Sequence, residues 1–274
     1  MTSPVSGSAS LRAILPKTIG KVEREPAASF ALEEALFLRN EGVMLRVWEN
    51  SESVIIGRAQ LASFETDVSY CKAHSIPVVR RFTAGGAVYN GPGNLNWSLF
   101  VGRGVESGSL RYESSPHAIF RAAAGPLLSA LASSGVEARL EPPNRLITQE
   151  GKVSGMAAYV SRKGFLCHGT LLAGADLARV KSLTTPSGDA IGRKYTRSHD
   201  MKTANVSLDV DSFIRVLVRT LADETHLAAD MSEPDGKELD LMRELFAARY
   251  GEEGWSLGDP FAWSDKVGAA ALVR

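Results

Sequence analysis

Residues 146–172 read LITQEGKVSGMAAYVSRKGFLCHGTLL, and this stretch decides the fold class. Its short apolar runs around the glycine-containing segments GKVSG and KGFLCHG predict two or three strands. Residues 94–101 predict a further strand, because apolar residues alternate there and share one face, which we expect to be buried. The residues of that face are Leu95, Trp97, Leu99 and Val101.

Helices are predicted before and after these strands. Ser115 followed by Pro116 is typical of a helix start, since proline at the first position lacks only an amide proton that the first turn does not use. Gly125 and Pro126 predict a kink, or two successive helices, before Gly135, because proline inside a helix removes a hydrogen bond and clashes with the preceding turn. Four further helices are predicted, over residues 27–38, 67–74, 211–227 and 237–250.

The remaining segments complete an α+β pattern. Residues 11–15 predict a short strand, and residues 43–47 and 54–56 predict a hairpin around the polar turn ENSES. Residues 77–81 predict an extended segment. Strands and helices alternate irregularly, which favours mixed or antiparallel sheets flanked by helices.

The length of the chain fits one large domain. With 274 residues, of which 44% are hydrophobic, the chain can bury a sizeable core. We predict a flexible N-terminal tail over residues 1–10, a single domain over residues 11–260 and a C-terminal tail over residues 261–274. The turn-rich segments EEGW and GDPF lie near the end of the domain.

Charge and cysteine content argue against several classes of protein. Lys and Arg number 31, as do Asp and Glu, so a net charge of +0 predicts no general affinity for nucleic acid or an anionic membrane. Two cysteines are too few for a disulfide framework, which favours a reducing, cytoplasmic setting. The sequence carries no signal-peptide pattern and no apolar run long enough to span a membrane.

Residues 80–89, RRFTAGGAVY, are the first candidate for a binding site. Arg80 and Arg81 offer guanidinium donors that match phosphate oxygens, and the small residues after them allow backbone amides to approach an anion. The same decapeptide fits a surface hairpin turn with two solvated arginines. From these residues alone, both interpretations stay open.

Lys152 is the second candidate, in the segment GKVSG. Its ammonium lies between small residues and could stabilise negative charge on a phosphoryl oxygen or on the oxyanion of acyl transfer. An exposed strand lysine is the commoner alternative. Ser154 is not predicted to be a hydrolase nucleophile, because G-x-x-S-G departs from the G-x-S-x-G pattern.

Cys167 and His168 are neighbours, but adjacent residues of a strand face opposite sides. We therefore predict that Cys167 is a core residue and not a nucleophile activated by His168. Cys71 and His74 have no second pair that would complete a zinc site. The basic segment 192–202, GRKYTRSHDMK, predicts a solvated loop, or one that closes over an anion or guides an acidic partner.

Two stretches together resemble the lipoate-protein ligase A family, within the group that contains biotin ligases and octanoyltransferases. They are RRFTAGGAVYNGPGNLNWS, residues 80–98, and NRLITQEGKVSGMAAYVSRKGFLCHGTLLAGADLARV, residues 144–180. With weaker likenesses elsewhere, the resemblance covers residues 11–255. It implies the biotin/lipoate protein ligase catalytic domain, which is similar to class II aminoacyl-tRNA synthetases.

The resemblance also implies a function and a set of site residues. ATP would activate lipoate to lipoyl-AMP, and the lipoyl group would pass to a lysine of a carrier domain. Lys152 would be catalytic, contacting nucleotide phosphate and lipoyl carboxyl. The implied ATP and lipoyl-adenylate ligands are Arg81, Gly86, Ala87, Val88, Tyr89 and Lys152. Further pocket candidates are Arg80, Thr83, Gly85, Asn94, Asn144, Ser154, Gly155, His168, Gly169 and Thr170.

The implied cofactors are ATP and Mg²⁺, with lipoate as substrate. The family commonly has an acidic residue where this chain has Arg145, so no metal ligand is assigned. The implied partner is a lipoyl carrier: a 2-oxo acid dehydrogenase subunit, a glycine-cleavage H protein or a related lipoyl domain. Because the chain ends at Arg274, it resembles short ligases whose extra C-terminal domain is a separate helper subunit.

Two other functions remain as alternatives. An octanoyltransferase would use a cysteine thioester and acyl carrier protein in place of ATP, but neither cysteine lies where related transferases carry the nucleophile. A non-catalytic lipoate or nucleotide binder would retain the fold without releasing pyrophosphate. Biotin ligase fits less well, because the RRFTAGGAVY and HGTLL segments resemble the lipoate branch.

Overall fold

Thirteen strands occur in the described part of the chain, which in this computed structural model comprises residues 10–16, 25–184 and 194–263. They are β1 (Ser10–Ile14), β2 (Val43–Trp48), β3 (Ser53–Ile56), β4 (Val78–Arg80), β5 (Val88–Asn90), β6 (Asn94–Gly102), β7 (Glu106–Ser107), β8 (Leu110–Arg111), β9 (Arg139–Glu141), β10 (Arg145–Ile147), β11 (Lys152–Val160), β12 (Gly164–Leu172) and β13 (Ala228–Met231).

Helices fill most of the remaining described residues. They are α1 (Pro26–Arg39), α2 (Ala62–Glu65), α3 (Val68–Ala73), α4 (Pro116–Ser133), α5 (Leu177–Leu183), α6 (Val210–Thr225), α7 (Gly236–Leu245) and α8 (Glu253–Leu257), with a π-helical turn, Phe246–Tyr250, directly after α7. None of the helices in these residues is long and apolar enough to cross a membrane.

The main sheet has eight strands in the order β13-β1-β2-β6-β12-β11-β10-β9. Strand β1 runs parallel to β13 and β2, and the other neighbours are antiparallel. A second sheet has the order β4-β3-β5, and β7 pairs with β8. The predicted α+β class with mixed sheets is confirmed, as are the strands within residues 146–172.

The centre of the main sheet is buried on both faces. Along β6, the predicted apolar face of Leu95, Trp97, Leu99 and Val101 packs with α4 and α6, while Phe100 packs on the opposite side with α1 and α7. All nine residues of β6 are buried. Alternate positions of a central strand therefore face two separate helical layers. The same holds for the neighbouring strand β12, whose alternate side chains also face opposite layers.

Local capping explains where α1 begins. The Glu25 carboxylate accepts hydrogen bonds from the amides of Ala27 and Ala28, and Pro26 occupies the first turn. The helix ends at Arg39, before Gly42. The side of α1 that faces the main sheet packs against β6 and β12. This packing places Glu33 within hydrogen-bond distance of His168.

The structure corrects one local prediction and narrows another. Strands β2 and β3 do not form a hairpin, because β2 pairs with β1 and β6 in the main sheet whereas β3 pairs with β4 and β5. Of the two alternatives predicted at Gly125 and Pro126, two successive helices do not occur, because α4 continues through both residues to Ser133. Pro126 and Leu127 are buried there, and this packing offsets the lost hydrogen bond, on the order of 3 kcal/mol.

Several predictions fall wholly or partly outside the described residues. Residues 1–9 of the N-terminal tail, residues 264–274 of the C-terminal tail and Arg193 of the basic segment lie there. The division into a tail, a domain over residues 11–260 and a second tail stays a prediction. Near the end of the described chain, the expected turn-rich stretch contains the short helix α8.

Candidate functional site

A cavity opens between the loop before β5, the strands β11 and β12, and residues 197–201. Predicted site residues that line it are Arg81, Gly86, Ala87, Val88, Asn144, Lys152, Gly155, His168, Gly169 and Thr170. The strands bring together segments that are far apart in sequence, since Gly155 and His168 lie on neighbouring strands while Arg81 follows β4 in the second sheet. The two stretches that carry the sequence resemblance therefore meet at one cavity.

Arg81 holds the loop that forms one wall. Its Nη2 donates to the carbonyl oxygens of Ala84 (2.8 Å) and Gly86 (2.9 Å), and its Nε donates to Thr83 Oγ1 (3.0 Å). Burial lowers the pKa of Arg81 to about 10, with the Glu33 carboxylate acting in the opposite direction. Arg81 is consequently still a cation at neutral pH, fixed at the cavity wall.

Lys152 lies at the start of β11 with its side chain largely removed from solvent. Burial lowers its pKa from the ordinary lysine value, and the positive charge of Arg145 lowers it further. Within the described residues, no hydrogen-bond or ion-pair partner lies at Lys152 Nζ. A partly buried ammonium in this state gains most from an anionic ligand in the cavity.

His168 faces the cavity and Cys167 faces the core, as the strand alternation predicts. His168 Nδ1 lies 2.8 Å from Glu33 Oε1, and its Nε2 lies 2.8 Å from Thr83 Oγ1. Burial alone would raise the pKa of Glu33, but His168 and the hydrogen bonds from His168 and Ser98 outweigh it, so the pKa is lowered. Glu33 is thus a buried carboxylate, a residue that the sequence analysis missed.

Arg197, Ser198, His199 and Met201 also line the cavity, next to the Gly86–Ala87 loop. Arg197 pairs with Glu65 (3.1 Å), and Ser198 Oγ lies 2.7 Å from the amide nitrogen of Ala87, which donates to it. Ser198 Oγ also accepts from Gln60 Nε2 (3.1 Å). Part of the predicted basic segment therefore lies over the Gly86–Ala87 loop and is not an isolated solvated loop.

The inner wall is apolar and was not predicted. It is formed by Phe30, Trp48, Ile55, Met156 and Ala157. These residues come from helix α1 and from strands β2, β3 and β11. Each of them fits an ordinary core position in its own segment. No local signal distinguishes a core residue from a cavity-lining one, because the distinction depends on which segment packs opposite it.

A second cavity adjoins the first. Both are lined by Ala87, Val88, Lys152, Gly155 and Thr170, so they meet at Lys152. The predicted residues Tyr89 and Ser154 line this second space. Burial raises the pKa of Tyr89, and so does the neighbouring Glu52 carboxylate.

Four predicted pocket residues do not line either cavity. Thr83 and Gly85 lie just behind the loop, against Arg81. Asn94 donates its side-chain amide to the Tyr89 carbonyl. Arg80 points away and donates to backbone carbonyls of residues 57–60 and 255–258, because it is fully buried between those segments. The pocket role of these four residues stays a prediction, and the structure places the Arg80 guanidinium against backbone carbonyls and not at the cavity surface.

The cysteines and the metal-ligating residue types offer no competing site in the described part of the chain. Cys167 is fully buried, and burial raises the pKa of its thiol, which disfavours a thiolate nucleophile. Cys71 is buried as well. No group of three or more His, Cys, Asp or Glu side chains there could hold a metal ion.

Apolar side chains, among them Phe30 and Met156, and cationic side chains, among them Arg81 and Lys152, line this cavity together. The model of one protein family, the lipoyl protein ligase A/B catalytic domain, matches residues 25–224, more than half of the chain. The chain belongs to this lipoyl protein ligase family. The family predicted from residues 80–98 and 144–180 is therefore confirmed.

Curated members of the lipoyl protein ligase family are similar along most of their length. Lipoate-protein ligase A subunit 1 of Thermoplasma acidophilum is 28% identical over 247 residues, covering 84% of this chain and 91% of that protein. Lipoate-protein ligase 1 of Staphylococcus aureus is 28% identical over 243 residues, covering 85% of this chain and 70% of that protein.

Solved structures show the same fold. The bi-partite lipoate protein ligase of Thermoplasma acidophilum, described with its E2 lipoyl domain, matches with a TM-score of 0.75 and 25% identity over 92% of this chain and 96% of that chain. A lipoate-protein ligase A bound with ATP matches with a TM-score of 0.74 and 25% identity, covering 92% and 99%. The predicted lipoate ligase fold is thus confirmed.

Proposed function

We propose that this chain is a lipoate-protein ligase that activates lipoate with ATP in the cavity at Lys152 and transfers the lipoyl group to a carrier lysine. The observation that carries the proposal is the position of Lys152, whose partly buried side chain lines both cavities where they adjoin. On one side is the apolar wall that includes Phe30 and Met156, which suits an acyl chain.

The charges around the cavity suit the first step. Arg81, Arg145, Lys152 and Arg197 line it, and no carboxylate is among its described lining residues. A lipoate carboxylate oxygen attacks the α-phosphorus of ATP, the bond to the departing pyrophosphate breaks, and a mixed anhydride forms. The fixed cations stabilise the charge that spreads over the phosphoryl oxygens in this step.

The second step needs a different environment for its nucleophile. A neutral amine of the carrier lysine attacks the anhydride carbonyl, the bond to AMP breaks, and the amine loses a proton. Because an ordinary lysine has a pKa of about 10.4, only a small fraction is neutral at physiological pH. The positive charges that line the cavity disfavour the protonated form of a carrier lysine that enters it. They therefore lower the pKa of that lysine and favour its neutral amine.

Mg²⁺ fits this site as an ion carried mainly by the nucleotide. Among the described residues that line the two cavities, Asp200 is the one carboxylate. Magnesium in nucleotide sites is commonly bound by one or two carboxylates together with substrate phosphates and water. We therefore assign Asp200 as its protein ligand, and the ion would neutralise phosphate charge when bound.

The carrier and a helper subunit are part of the same proposal. A solved relative is described together with its E2 lipoyl domain, and another relative is named as a subunit of its ligase. Both support a lipoyl domain as the acceptor and a second subunit as a partner here. Adenylation by the purified chain alone would argue against a required helper.

The experiment that tests the proposal is pyrophosphate release from ATP by the purified chain, with and without lipoate. We expect lipoate-dependent release in the wild type, loss in Lys152→Ala, and wild-type activity in Lys163→Ala, an exposed lysine in the turn after β11. No release by the wild type, even with added helper subunit, would contradict ATP-dependent ligation. Transfer from an acyl carrier protein without ATP would establish an octanoyltransferase instead.

A further inference from the structure

Three hydrogen bonds connect a buried carboxylate to the cavity wall. Glu33 Oε1 lies 2.8 Å from His168 Nδ1, His168 Nε2 lies 2.8 Å from Thr83 Oγ1, and Thr83 Oγ1 accepts from Arg81 Nε at 3.0 Å. The four residues are 0%, 6%, 0% and 4% exposed, in the order Glu33, His168, Thr83 and Arg81. Water therefore cannot readily replace any member of the series.

With His168 as the neutral imidazole, the series has one direction. The Arg81 guanidinium can only donate, so Thr83 Oγ1 is the acceptor of that bond. Within the described residues, the other partner of Thr83 Oγ1 is His168 Nε2, which in the neutral ring receives the hydroxyl proton. His168 then carries its proton on Nδ1 and donates it to Glu33. Each of the three bonds has one donor and one acceptor in this arrangement.

Both ends of the series are anchored. At the buried end, Ser98 Oγ donates to the same Glu33 oxygen at 2.5 Å. At the cavity end, the Arg81 Nη2 group donates to the carbonyl oxygens of Ala84 and Gly86. The plane of the guanidinium, and with it the loop that ends in Gly86, is thus set from both sides.

We propose that Glu33 and Thr83 are positioning residues that act through His168 and Arg81: the directional series from α1 to the loop holds the Arg81 guanidinium and the Gly86–Val88 wall in the geometry that receives the nucleotide phosphate. This inference rests on the proposed function, since it assigns a role in ATP-dependent activation. Neither residue contacts the substrate in this role. Thr83 is buried behind the loop, and Glu33 is reached only through His168.

The Thr83 hydroxyl provides the sharpest test. Thr83→Val keeps the shape but leaves Arg81 Nε without its acceptor and His168 Nε2 without its donor, whereas Thr83→Ser keeps the hydroxyl. We expect Thr83→Val to lower kcat/KM for ATP in lipoate-dependent pyrophosphate release about 10- to 100-fold, the loss typical of a misplaced catalytic group. Thr83→Ser should restore most of it, and the dissociation constant for lipoate should stay close to the wild-type value in both variants.

A double-mutant cycle tests whether Glu33 acts through Thr83. Glu33→Gln removes the charge at the buried end of the series and should lower kcat/KM for ATP in the wild-type background. In the Thr83→Val background, where the series is already interrupted, the same change should have little further effect.

The outcomes separate this inference from the proposed function. If the wild type shows no lipoate-dependent release, the proposed function fails. If the wild type is active and folded Thr83→Val has an unchanged kcat/KM for ATP, or if the effects of Glu33→Gln and Thr83→Val multiply, the positioning inference is overturned. Thermal unfolding of each variant identifies a loss of folded protein. If Thr83→Val does not fold, Glu33→Gln carries the test, and an unchanged kcat/KM for ATP in folded Glu33→Gln overturns the inference.

Discussion

Gly155 lies so close to the end of the Lys152 side chain that a Cβ at position 155 would be 3.0 Å from both Lys152 Cε and Lys152 Nζ. Both residues belong to β11 and line both cavities. The absence of a side chain at Gly155 is therefore what leaves room for the ammonium at the junction of the cavities.

We predict that Gly155→Ala displaces the Lys152 ammonium and lowers lipoate-dependent pyrophosphate release at least about tenfold, because a small misplacement of a charge-stabilising group is costly. Gly42→Ala is the matched control, since a Cβ at Gly42 would meet no atom within 4 Å. Full activity of folded Gly155→Ala would show that the ammonium position is not critical.

Arg145 should control the alkaline limb of the pH profile. The pKa of Lys152 is lowered by burial and then by Arg145, so its ammonium loses its proton at a lower pH than an ordinary lysine. If the cation is required, kcat/KM falls as pH rises through this lowered pKa. In Arg145→Gln, one positive charge is gone, the pKa rises, and the midpoint of the alkaline limb should move to higher pH.

The control for this shift is Arg139→Gln, an exposed arginine on the neighbouring strand β9. Its profile should have the wild-type midpoint, whatever its absolute rate. A midpoint that does not move in Arg145→Gln would mean that another group causes the alkaline limb.

Asp200 should affect the metal requirement. It is the one carboxylate among the described residues lining the two cavities, so Asp200→Asn should raise several-fold the Mg²⁺ concentration needed for half-maximal pyrophosphate release. Asp230→Asn, an exposed carboxylate on β13, should leave it unchanged. Equal Mg²⁺ dependence in both variants would remove Asp200 as a ligand.

Arg80 should affect stability more than binding. Its guanidinium donates to backbone carbonyls of six residues: Gly57, Arg58, Gln60, Trp255, Ser256 and Gly258. Burial lowers its pKa to about 10, so it is charged at neutral pH. Arg80→Met leaves these buried acceptors without their donor and should lower the free energy of unfolding by about 3 kcal/mol or more.

Urea unfolding checks this prediction, with the exposed Arg121→Met on α4 as the control. The control should change stability by less than about 0.5 kcal/mol. A loss of similar size in both variants would show that the buried network of Arg80 contributes little.

The sequence determined the local features of this protein. Apolar alternation predicted β6 and the strands within residues 146–172, and the neighbouring positions of Cys167 and His168 predicted that one faces the core and the other the cavity. The order and spacing of residues 80–98 and 144–180 identified the family. These features depend on chain periodicity and on short motifs, which are present in the sequence itself.

Tertiary structure decided which segments meet. Arg80 and Arg81 are adjacent and chemically identical, yet Arg80 is enclosed by residues 57–60 and 255–258 while Arg81 lines the cavity. The link from Glu33 to His168 spans 135 positions, and the separation of β2 from β3 depends on their partners in two sheets. The physical reason is that burial and hydrogen-bond partners are set by long-range packing, which no local pattern specifies.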